Sequence, residues 1–485
     1  MRPGRIRPLS AYQNKPLLKD TLQEYCSNSG LHGIRYLGES GRPWSEKLWW
    51  VVVILASLTC GSLLILRVWH KWTTTPVLVT FADNPTPIWE LPFPTVTLCP
   101  SNKYVKKVFD FSYYYREVNE SLIDADTQAV INAVLLLCRS TDATEFDDDF
   151  YPRFGGNVIN RIQQLVSPSY FDTIECSLLF GANNSCERLF QVLITAEGVC
   201  FSFNLLPNRT LFSPTTVQYA QEFNNSKPPI WSLEKGYVGG AGITRQPIRA
   251  VGTGLKRGVA FVLKTNMSEL DYECRRTQGF RVSLTNPAEI PADNSFYYLP
   301  TSGLTLMAIE PKVMDTSEGL RFYSPYKRHC FFPSERRLTY FSTYTQSNCE
   351  LECLTNFTLR SCNCVEFYMP RNETTLVCDI GSTSCVFNAE VTLTREFMRQ
   401  RIKKIKGEND CNCLPSCKTI HYKADLSQSN VELNEILQVI ETDSEEYRNI
   451  SVNFLYVYFK DPDFIAMRRG ELYGFADLIG KYIVQ

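Results

Sequence analysis

The chain has 485 residues, 18 cysteines and a formal net charge of −1. A balance of charge this close to neutrality gives no reason to expect a nucleic-acid partner. Sixteen of the cysteines follow residue 68, and only Cys26 and Cys60 precede it. An even number of cysteines after that point is typical of disulfide bonds formed in an oxidising compartment.

The first 47 residues are polar, and their one notable motif is the pair His32-Gly33. Without further context, a turn with an exposed histidine is the simplest interpretation of such a pair. We therefore expect residues 1–47 to form a polar N-terminal segment.

A membrane-spanning helix is predicted next, over residues 48–68. Leu48–Leu66 is a run of nineteen residues without a charge, long enough as a helix to cross about 28 Å of hydrocarbon. It begins too late in the chain for a cleaved signal peptide. A buried helix of a soluble core is the alternative interpretation, but four tryptophans flank the run as in an interfacial aromatic belt.

The orientation of this helix follows from the cations around it. Eight lysines and arginines precede the run, whereas Lys71 is the only one in the twenty residues after Arg67. The positive-inside rule therefore predicts a cytoplasmic N-terminus, with residues after about 68 outside the cell.

Beyond the span the pattern alternates between extended and helical segments. Pro76–Phe81 is an extended apolar stretch, and the prolines around Leu91–Pro100 suggest an irregular or edge strand. Asp126–Arg139 contains an apolar block of helical length that is too short to span a bilayer. We interpret it as a packed helix.

From residue 191 onward the sequence is rich in strand patterns. Apolar and β-branched stretches bounded by turn residues predict strands at Gln191–Ala196, Gly198–Asn204, Val259–Lys264, Phe280–Leu284 and Ile450–Phe459. The expected fold class is therefore that of an α+β membrane protein, with one transmembrane helix and a large disulfide-rich region outside the cell.

The cysteine series from Cys330 to Cys417 has a mirrored spacing. A C-x3-C pair and a C-x-C pair are followed, after two further cysteines, by C-x-C-x3-C. This arrangement suits two antiparallel elements joined by several disulfides. Zinc is the alternative, but thiols outside the cell are normally oxidised and no histidine lies at ligand spacing, so no metal site is expected. Between the two halves, Glu390–Lys406 is predicted to be an exposed helix.

Glycosylation acceptors give a second, independent indication of the compartment. Eight asparagines open N-x-S/T triplets and all of them follow the span, as expected if these residues lie outside the cell. They are Asn119, Asn183, Asn208, Asn224, Asn266, Asn356, Asn372 and Asn449.

With these landmarks placed, the chain resembles the degenerin and epithelial sodium channel family, which includes acid-sensing channels and the insect pickpocket branch. The resemblance extends from His32-Gly33 to the end of the chain. It depends on Phe93–Cys99, Glu197–Asn204, Gly279–Val282 and the ten-cysteine series with Cys362–Pro370. Trp231–Tyr237 is most similar to the pickpocket branch.

The resemblance implies a voltage-independent, stimulus-gated and usually amiloride-sensitive sodium channel subunit that assembles as a homo- or heterotrimer with related subunits in the lipid bilayer of the plasma membrane. Subunits of this family have an extracellular region likened to a hand. The implied divisions are first palm strands at 69–101, a finger at 102–186, palm and β-ball at 187–310, a thumb at 311–420, and last palm strands at 421–485. His32 and Gly33 match the family's gating motif.

The resemblance also implies a set of disulfide bonds. Five of them belong to the thumb and three lie outside it. The implied pairs are Cys330–Cys417, Cys349–Cys413, Cys353–Cys411, Cys362–Cys385, Cys364–Cys378, Cys99–Cys200, Cys176–Cys186 and Cys138–Cys274.

One departure from the family pattern is large. Family members follow the last palm strand with a second transmembrane helix that lines the pore, and Gln485 falls where that helix would begin. We therefore expect this chain to lack the pore helix; a natural isoform, an incomplete gene model and a trimmed chain would all give this sequence. The full-length pore is what would conduct sodium ions.

Two other function classes compete with a channel subunit. A non-conducting single-pass receptor or regulatory subunit with a ligand-binding region outside the cell is the alternative. An ectoenzyme has little support, because the chain has four histidines and neither a nucleophile elbow nor a zinc motif. No cofactor is expected, and the sequence does not indicate which extracellular ligand or stimulus would act.

Overall fold

The computed structural model divides into two compact units, which are described separately. One comprises Met1–Leu78 with Glu471–Gln485, and the other is Val79–Gly470. The residues that the structure describes are 18–30, 33–39, 41–74, 77–117, 123–138, 158–166, 173–179, 186, 189–217, 220–222, 231–238, 246–291, 296–403, 411–432 and 449–472.

The described residues of the first unit form three helices: α1 (Leu18–Asn28), α2 (Arg35–Gly38) and α3 (Trp44–Thr74). Helix α3 has 31 residues and none of them is buried. By length and composition it is the one helix within the described ranges that could cross a membrane. It is longer than the predicted span, because the polar turns on either side of the apolar run are helical too.

The remaining helices belong to the second unit. They are α4 (Phe111–Glu117), α5 (Ala125–Cys138), α6 (Val158–Leu165), α7 (Asn208–Leu211), α8 (Pro325–Arg328), α9 (Gln346–Cys362) and α10 (Thr383–Lys403). The predicted packed helix is α5, whose second half is wholly buried. The predicted exposed helix is part of α10, which begins seven residues earlier than expected.

Seventeen strands lie within the described residues. They are β1 (Val77–Phe81), β2 (Thr86–Pro87), β3 (Thr95–Pro100), β4 (Ile174–Leu178), β5 (Phe190–Thr195), β6 (Gly198–Phe203), β7 (Ala220–Glu222), β8 (Trp231–Ser232), β9 (Gly236–Tyr237), β10 (Val259–Asn266), β11 (Phe280–Thr285), β12 (Phe296–Leu299), β13 (Gly303–Thr316), β14 (Thr419–Ser429), β15 (Ile450–Phe459), β16 (Asp463–Phe464) and β17 (Met467–Glu471).

The larger sheet of the second unit is mixed. Its order includes β17-β13-β15-β10-β4, and β14 also pairs with β13. Strand β13 runs parallel to β15, with Gly303 opposite Asn453, and antiparallel to β14, with Leu304 opposite Ser429. The cysteine-rich segment therefore leaves the sheet after β13 and returns to it as β14.

The second sheet has the order β12-β11-β3-β6-β5-β7. Strand β3 lies inside this sheet, between β11 and β6, so the prediction of an irregular or edge strand is wrong. The reason is that Pro92 and Pro94 precede the strand and Pro100 is its last residue. No proline therefore removes a ladder hydrogen bond from the interior of β3.

Aromatic side chains connect the two sheets through one hydrophobic core. Phe203 of β6 packs edge-to-face on Phe261 of β10, with ring centroids 5.5 Å apart. Phe93 contacts Phe203 at 6.1 Å and Phe459 of β15 at 5.7 Å, again edge-to-face. Such geometry adds to the gain from burying these large rings.

Eight disulfides join the sixteen cysteines of the second unit, and they are the pairs that the family resemblance implied. Four of them join α9, the turns after it, α10 and residues 411–413, and a fifth joins Cys330, which follows α8, to Cys417. The other three are Cys99–Cys200, Cys138–Cys274 and Cys176–Cys186. Cys26 and Cys60, both also described, form no disulfide.

Candidate functional site

The predicted gating motif lies next to the first turns of α3. Gly33 has a φ of +88°, a conformation that L side chains rarely adopt. A Cβ added to Gly33 would lie 3.0 Å from Cε3 of Trp50 and 3.4 Å from Cγ1 of Ile54. Any larger residue at position 33 would therefore strain the backbone and would also crowd the Trp50 ring. His32, the other residue of the motif, lies outside the described residues.

An aromatic pair continues this contact. The rings of Tyr36 and Trp50 are stacked, with centroids 4.6 Å apart and an interplanar angle of 25°. The guanidinium carbon of Arg42 lies 4.7 Å from the centroid of the Tyr36 ring, so a cation covers the same tyrosine. We call residues 33–46, which contain the glycine, the tyrosine and the arginine, the pre-span segment.

Arg42 also closes the turn between α2 and α3. Its Nε donates to Oε2 of Glu39 at 2.7 Å, and its Nη1 donates to the carboxylate of Glu46 in α3. The hydrogen bond from Arg42 lowers the pKa of Glu39, which keeps that carboxylate ionised. These groups are solvent-exposed, so the ion pairs orient the turn more than they stabilise it.

Helix α1 approaches the same region through a second glycine. A Cβ on Gly38 would lie 2.7 Å from Cβ of Cys26 and 2.9 Å from the carbonyl oxygen of Gln23. The last residue of α2 is therefore in close contact with α1. Close packing requires a glycine at position 38. Backbone conformation does not require it, because the φ of Gly38 is not positive.

A buried ionic cluster lies in the second unit and was not predicted from the sequence. The carboxylate of Glu197 accepts a hydrogen bond from Nη2 of Arg275 at 3.0 Å and another from Nη1 of Arg281. Nζ of Lys103 lies 3.5 Å from the same carboxylate and donates to the carbonyl oxygen of Pro100 at 3.0 Å. Each of these four side chains is at most 6% exposed. Three basic side chains therefore share one carboxylate out of contact with water.

The guanidinium groups beside Lys103 have an electrostatic consequence. Burial, and next the nearby guanidinium of Arg275, lower the pKa of Lys103 from 10.5 to about 7. Lys103 therefore exchanges its proton close to neutral pH, unlike an exposed lysine.

Strand register explains why these residues meet. Arg281 in β11 lies opposite Cys99 in β3, which is bonded to Cys200 in β6. Arg275 follows Cys274, which is bonded to Cys138 at the end of α5. The cluster thus lies beside two disulfides. Glu197 and Arg281 both belong to motifs that carry the family resemblance, but nothing local in either motif indicates that they touch.

The glycosylation acceptors differ in exposure. Asn372 and Asn449 are exposed, whereas Asn208, Asn266 and Asn356 are half-buried. Asn119, Asn183 and Asn224 lie outside the described residues.

A comparison with known families decides which class of protein this is. Residues 25–482 match the family model described as amiloride-sensitive sodium channel, which covers nearly the whole chain. The chain belongs to the amiloride-sensitive sodium channel family.

Individual members of the amiloride-sensitive sodium channel family match over most of this chain. It is 26% identical to pickpocket protein 28 of Drosophila melanogaster over 96% of this chain and 75% of that protein. It is 22% identical to the sodium channel protein Nach of Drosophila melanogaster, over 86% and 75%. It is 25% identical to acid-sensing ion channel 4-B of Danio rerio, over 95% and 71%.

The match to the amiloride-sensitive sodium channel family includes the features described above. The family model spans α3, Gly33, the buried ionic cluster and all eight disulfides. At the level of the family, the chain is therefore a sodium channel subunit and a membrane protein, and its relatives are channel proteins rather than enzymes.

Proposed function

We propose that this chain is a subunit of a voltage-independent, stimulus-gated and amiloride-sensitive channel that carries sodium ions across the plasma membrane. The observation that carries the proposal is the family match, which runs without interruption from the pre-span segment through α3 into the disulfide-bonded unit. The N-terminus would be cytoplasmic and residues after about 68 extracellular. The excess of cations before α3 and the location of disulfides and N-x-S/T triplets after it support this orientation.

The extracellular region would work as a hand whose parts move against each other. We assign palm strands to 69–101, 187–310 and 421–485, a finger to 102–186 and a thumb to 311–420. The five disulfides around α9 and α10 support the thumb assignment, since they would let this part move as one rigid body. Strands β13 and β14, which connect it to the larger sheet, would transmit its displacement.

His32 and Gly33 would act at the cytoplasmic end of the channel. The contact between Gly33 and Trp50 supports this role, because a small change in the backbone at Gly33 would shift the ring that packs on it. A few residues that absorb a change in φ and ψ are sufficient for a hinge.

The channel would be a homo- or heterotrimer with related subunits, glycosylated on its extracellular face. The test is to express the chain together with a pickpocket relative in cells that lack other relatives. Surface labelling, co-purification and amiloride-blocked sodium current would be measured together. We expect the chain to reach the surface, to co-purify with the relative, and to change the current at a constant surface amount of that relative.

The same experiment distinguishes the alternative function. If the chain reaches the surface but neither co-purifies with any relative nor changes the sodium current, it is a non-conducting receptor and the proposal is wrong. Currents recorded during voltage steps of equal size and opposite sign would test whether the open fraction is independent of voltage.

A further inference from the structure

A cavity of about 450 Å³ lies beside the N-terminal turn of α9. Residues of β11, β12 and β14 and of the loop after β11 line it. Its volume is within the range of small-molecule sites in proteins. Phe296 and Tyr297 are half-buried walls, and His421 is an exposed lining residue.

The cavity contains a carboxylate that has no basic partner. Glu289 is 9% exposed, and the polar side chains of Asn286 and Thr345 favour its ionised form. Within the part of the chain that the structure describes, no lysine or arginine forms an ion pair with Glu289, and Glu350 adds a like charge. Because burial dominates, the pKa of Glu289 is raised from 4.5 to about 7. A buried carboxylate without a basic partner is stabilised in its ionised form when a cation binds beside it.

The walls of the cavity narrow the class of ligand. Phe296 and Tyr297 line the same cavity as the carboxylate, and aromatic rings attract organic cations. Ser347 and Asn286 add polar groups that could orient a ligand. We propose that this cavity binds a small organic cation, an amine or a guanidinium carried on an apolar group, with its charged end against Glu289.

The location of the cavity connects this site with the proposed thumb. Ser347 lies two residues before Cys349, and His421 lies four residues after Cys417, so the lining comes from both ends of the disulfide-bonded segment. A ligand here would hold the start of α9 against β14. That such binding would influence gating rests on the proposed function, whereas binding itself does not.

The dependence on pH follows from the groups that face Glu289. These are Tyr422, Glu350 and His421, together with the polar side chains of Asn286 and Thr345. The ligand needs Glu289 ionised, so its affinity falls as the pH drops through about 7. Burial lowers the pKa of His421, so this imidazole gains its positive charge at lower pH, where the charge weakens cation binding in the same direction.

The proposal is tested by direct binding to the purified 485-residue chain in detergent. The probe is phenethylamine, and its neutral analogue is 2-phenylethanol. Two variants are compared: Glu289→Gln, which removes the charge at constant shape, and Glu350→Gln, which removes an exposed charge nearby. Glutamine keeps the hydrogen-bonding capacity of the protonated carboxyl group, so we expect Glu289→Gln to fold.

We expect saturable binding of phenethylamine at about pH 8, and roughly tenfold weaker binding at about pH 6, because the ionised fraction of Glu289 falls about tenfold. Glu289→Gln should weaken binding at least as much, and Glu350→Gln should change it less than about twofold. 2-Phenylethanol should bind weakly and equally to all three proteins.

Two results would overturn the proposal. One is the absence of phenethylamine binding at millimolar concentration to a wild-type chain whose disulfides are intact. The other is binding that Glu289→Gln leaves unchanged. Wild-type binding that does not weaken between about pH 8 and about pH 6 would overturn the proposal without any variant. Since no current is measured, a negative result here leaves the channel proposal standing, and a failed channel experiment leaves this one standing.

Discussion

The pre-span segment and the disulfide-bonded unit are stabilised by different interactions. In the pre-span segment, one glycine contact, one ring stack and exposed ion pairs of Arg42 fix the turn before α3. In Val79–Gly470, eight disulfides and a buried ionic cluster fix the fold. Exposed ion pairs contribute little and covalent bonds contribute much. The first region is therefore suited to change conformation at low cost, and the second to keep its shape while it moves.

The largest expected effect comes from the buried ionic cluster. Replacing Glu197 with glutamine removes the carboxylate that Lys103, Arg275 and Arg281 share, so three buried cations lose one ion-pair partner. We expect the free energy of unfolding to fall by about 3–5 kcal/mol. The shift of the urea midpoint measures it.

A matched control tests whether burial is the cause. The pair of Lys264 with Glu175 is an ion pair of the same chemistry, but the Glu175 side chain is 60% exposed. Glu175→Gln should lower stability by about 0–1 kcal/mol. Equal shifts for the two glutamine variants would show that the cluster is no more important than a surface pair.

Disulfide bonds should have the next largest effect. Replacing both Cys349 and Cys413 with serine opens a bridge between residues 64 apart in sequence. We expect a loss of about 2–4 kcal/mol, because the unfolded chain regains conformational freedom. Limited proteolysis near residues 411–417, read together with thermal unfolding, would detect it.

Cys60 provides the control for this substitution. It forms no disulfide, so Cys60→Ser should leave the thermal midpoint unchanged. If the double variant were as stable as Cys60→Ser, the five-disulfide segment would not owe its rigidity to covalent bonds.

A smaller effect is expected in the pH dependence of stability. The pKa of Lys103 is about 7 in the folded chain and 10.5 as its ordinary value, so the unfolded chain binds more protons between these limits. The contribution of Lys103 to stability therefore rises as the pH increases from about 7 to about 10.5 and is lost as the pH falls. Lys103→Met should flatten this slope, as measured by urea unfolding across the range.

The Lys264→Met variant is the control, because it shows whether the loss of any lysine changes the slope. It is a lysine in an exposed ion pair, and Lys264→Met should keep the slope of the wild-type chain. A slope that both methionine variants flatten equally would contradict the assignment to the buried cluster.

The sequence predicted the elements whose signals are local. The apolar run of Leu48–Leu66 lies within α3, and Ile450–Phe459 is a strand with the predicted bounds. The ends of α3 were missed because Trp44–Lys47 and Trp69–Thr74 contain charged and polar side chains, and hydropathy detects the membrane core rather than helix ends.

Features that depend on distant residues were not predicted. Strand β13 contains Glu310, Pro311 and Lys312, which hid its fourteen-residue length, and β14 is mostly exposed. The ionic cluster brings Glu197 together with Lys103, 94 positions before it, and with Arg281, 84 positions after it, and no local pattern encodes that. The disulfide pairs came from the family resemblance, because spacing alone leaves many connectivities open.

The most direct test of the account concerns Gly33. Gly41 is a matched control, since its φ is +108° but an added Cβ would meet nothing within 4 Å. Gly33→Ala and Gly41→Ala therefore share a backbone penalty of about 1 kcal/mol, and only the first disturbs Trp50.

The measurement is amiloride-blocked sodium current, normalised to surface protein, from cells that express each variant with a pickpocket relative. The account predicts that Gly33→Ala changes the open fraction with unchanged preference for sodium, while Gly41→Ala behaves as the wild-type chain. Currents that are the same for all three proteins, or altered equally by both alanines, would contradict it.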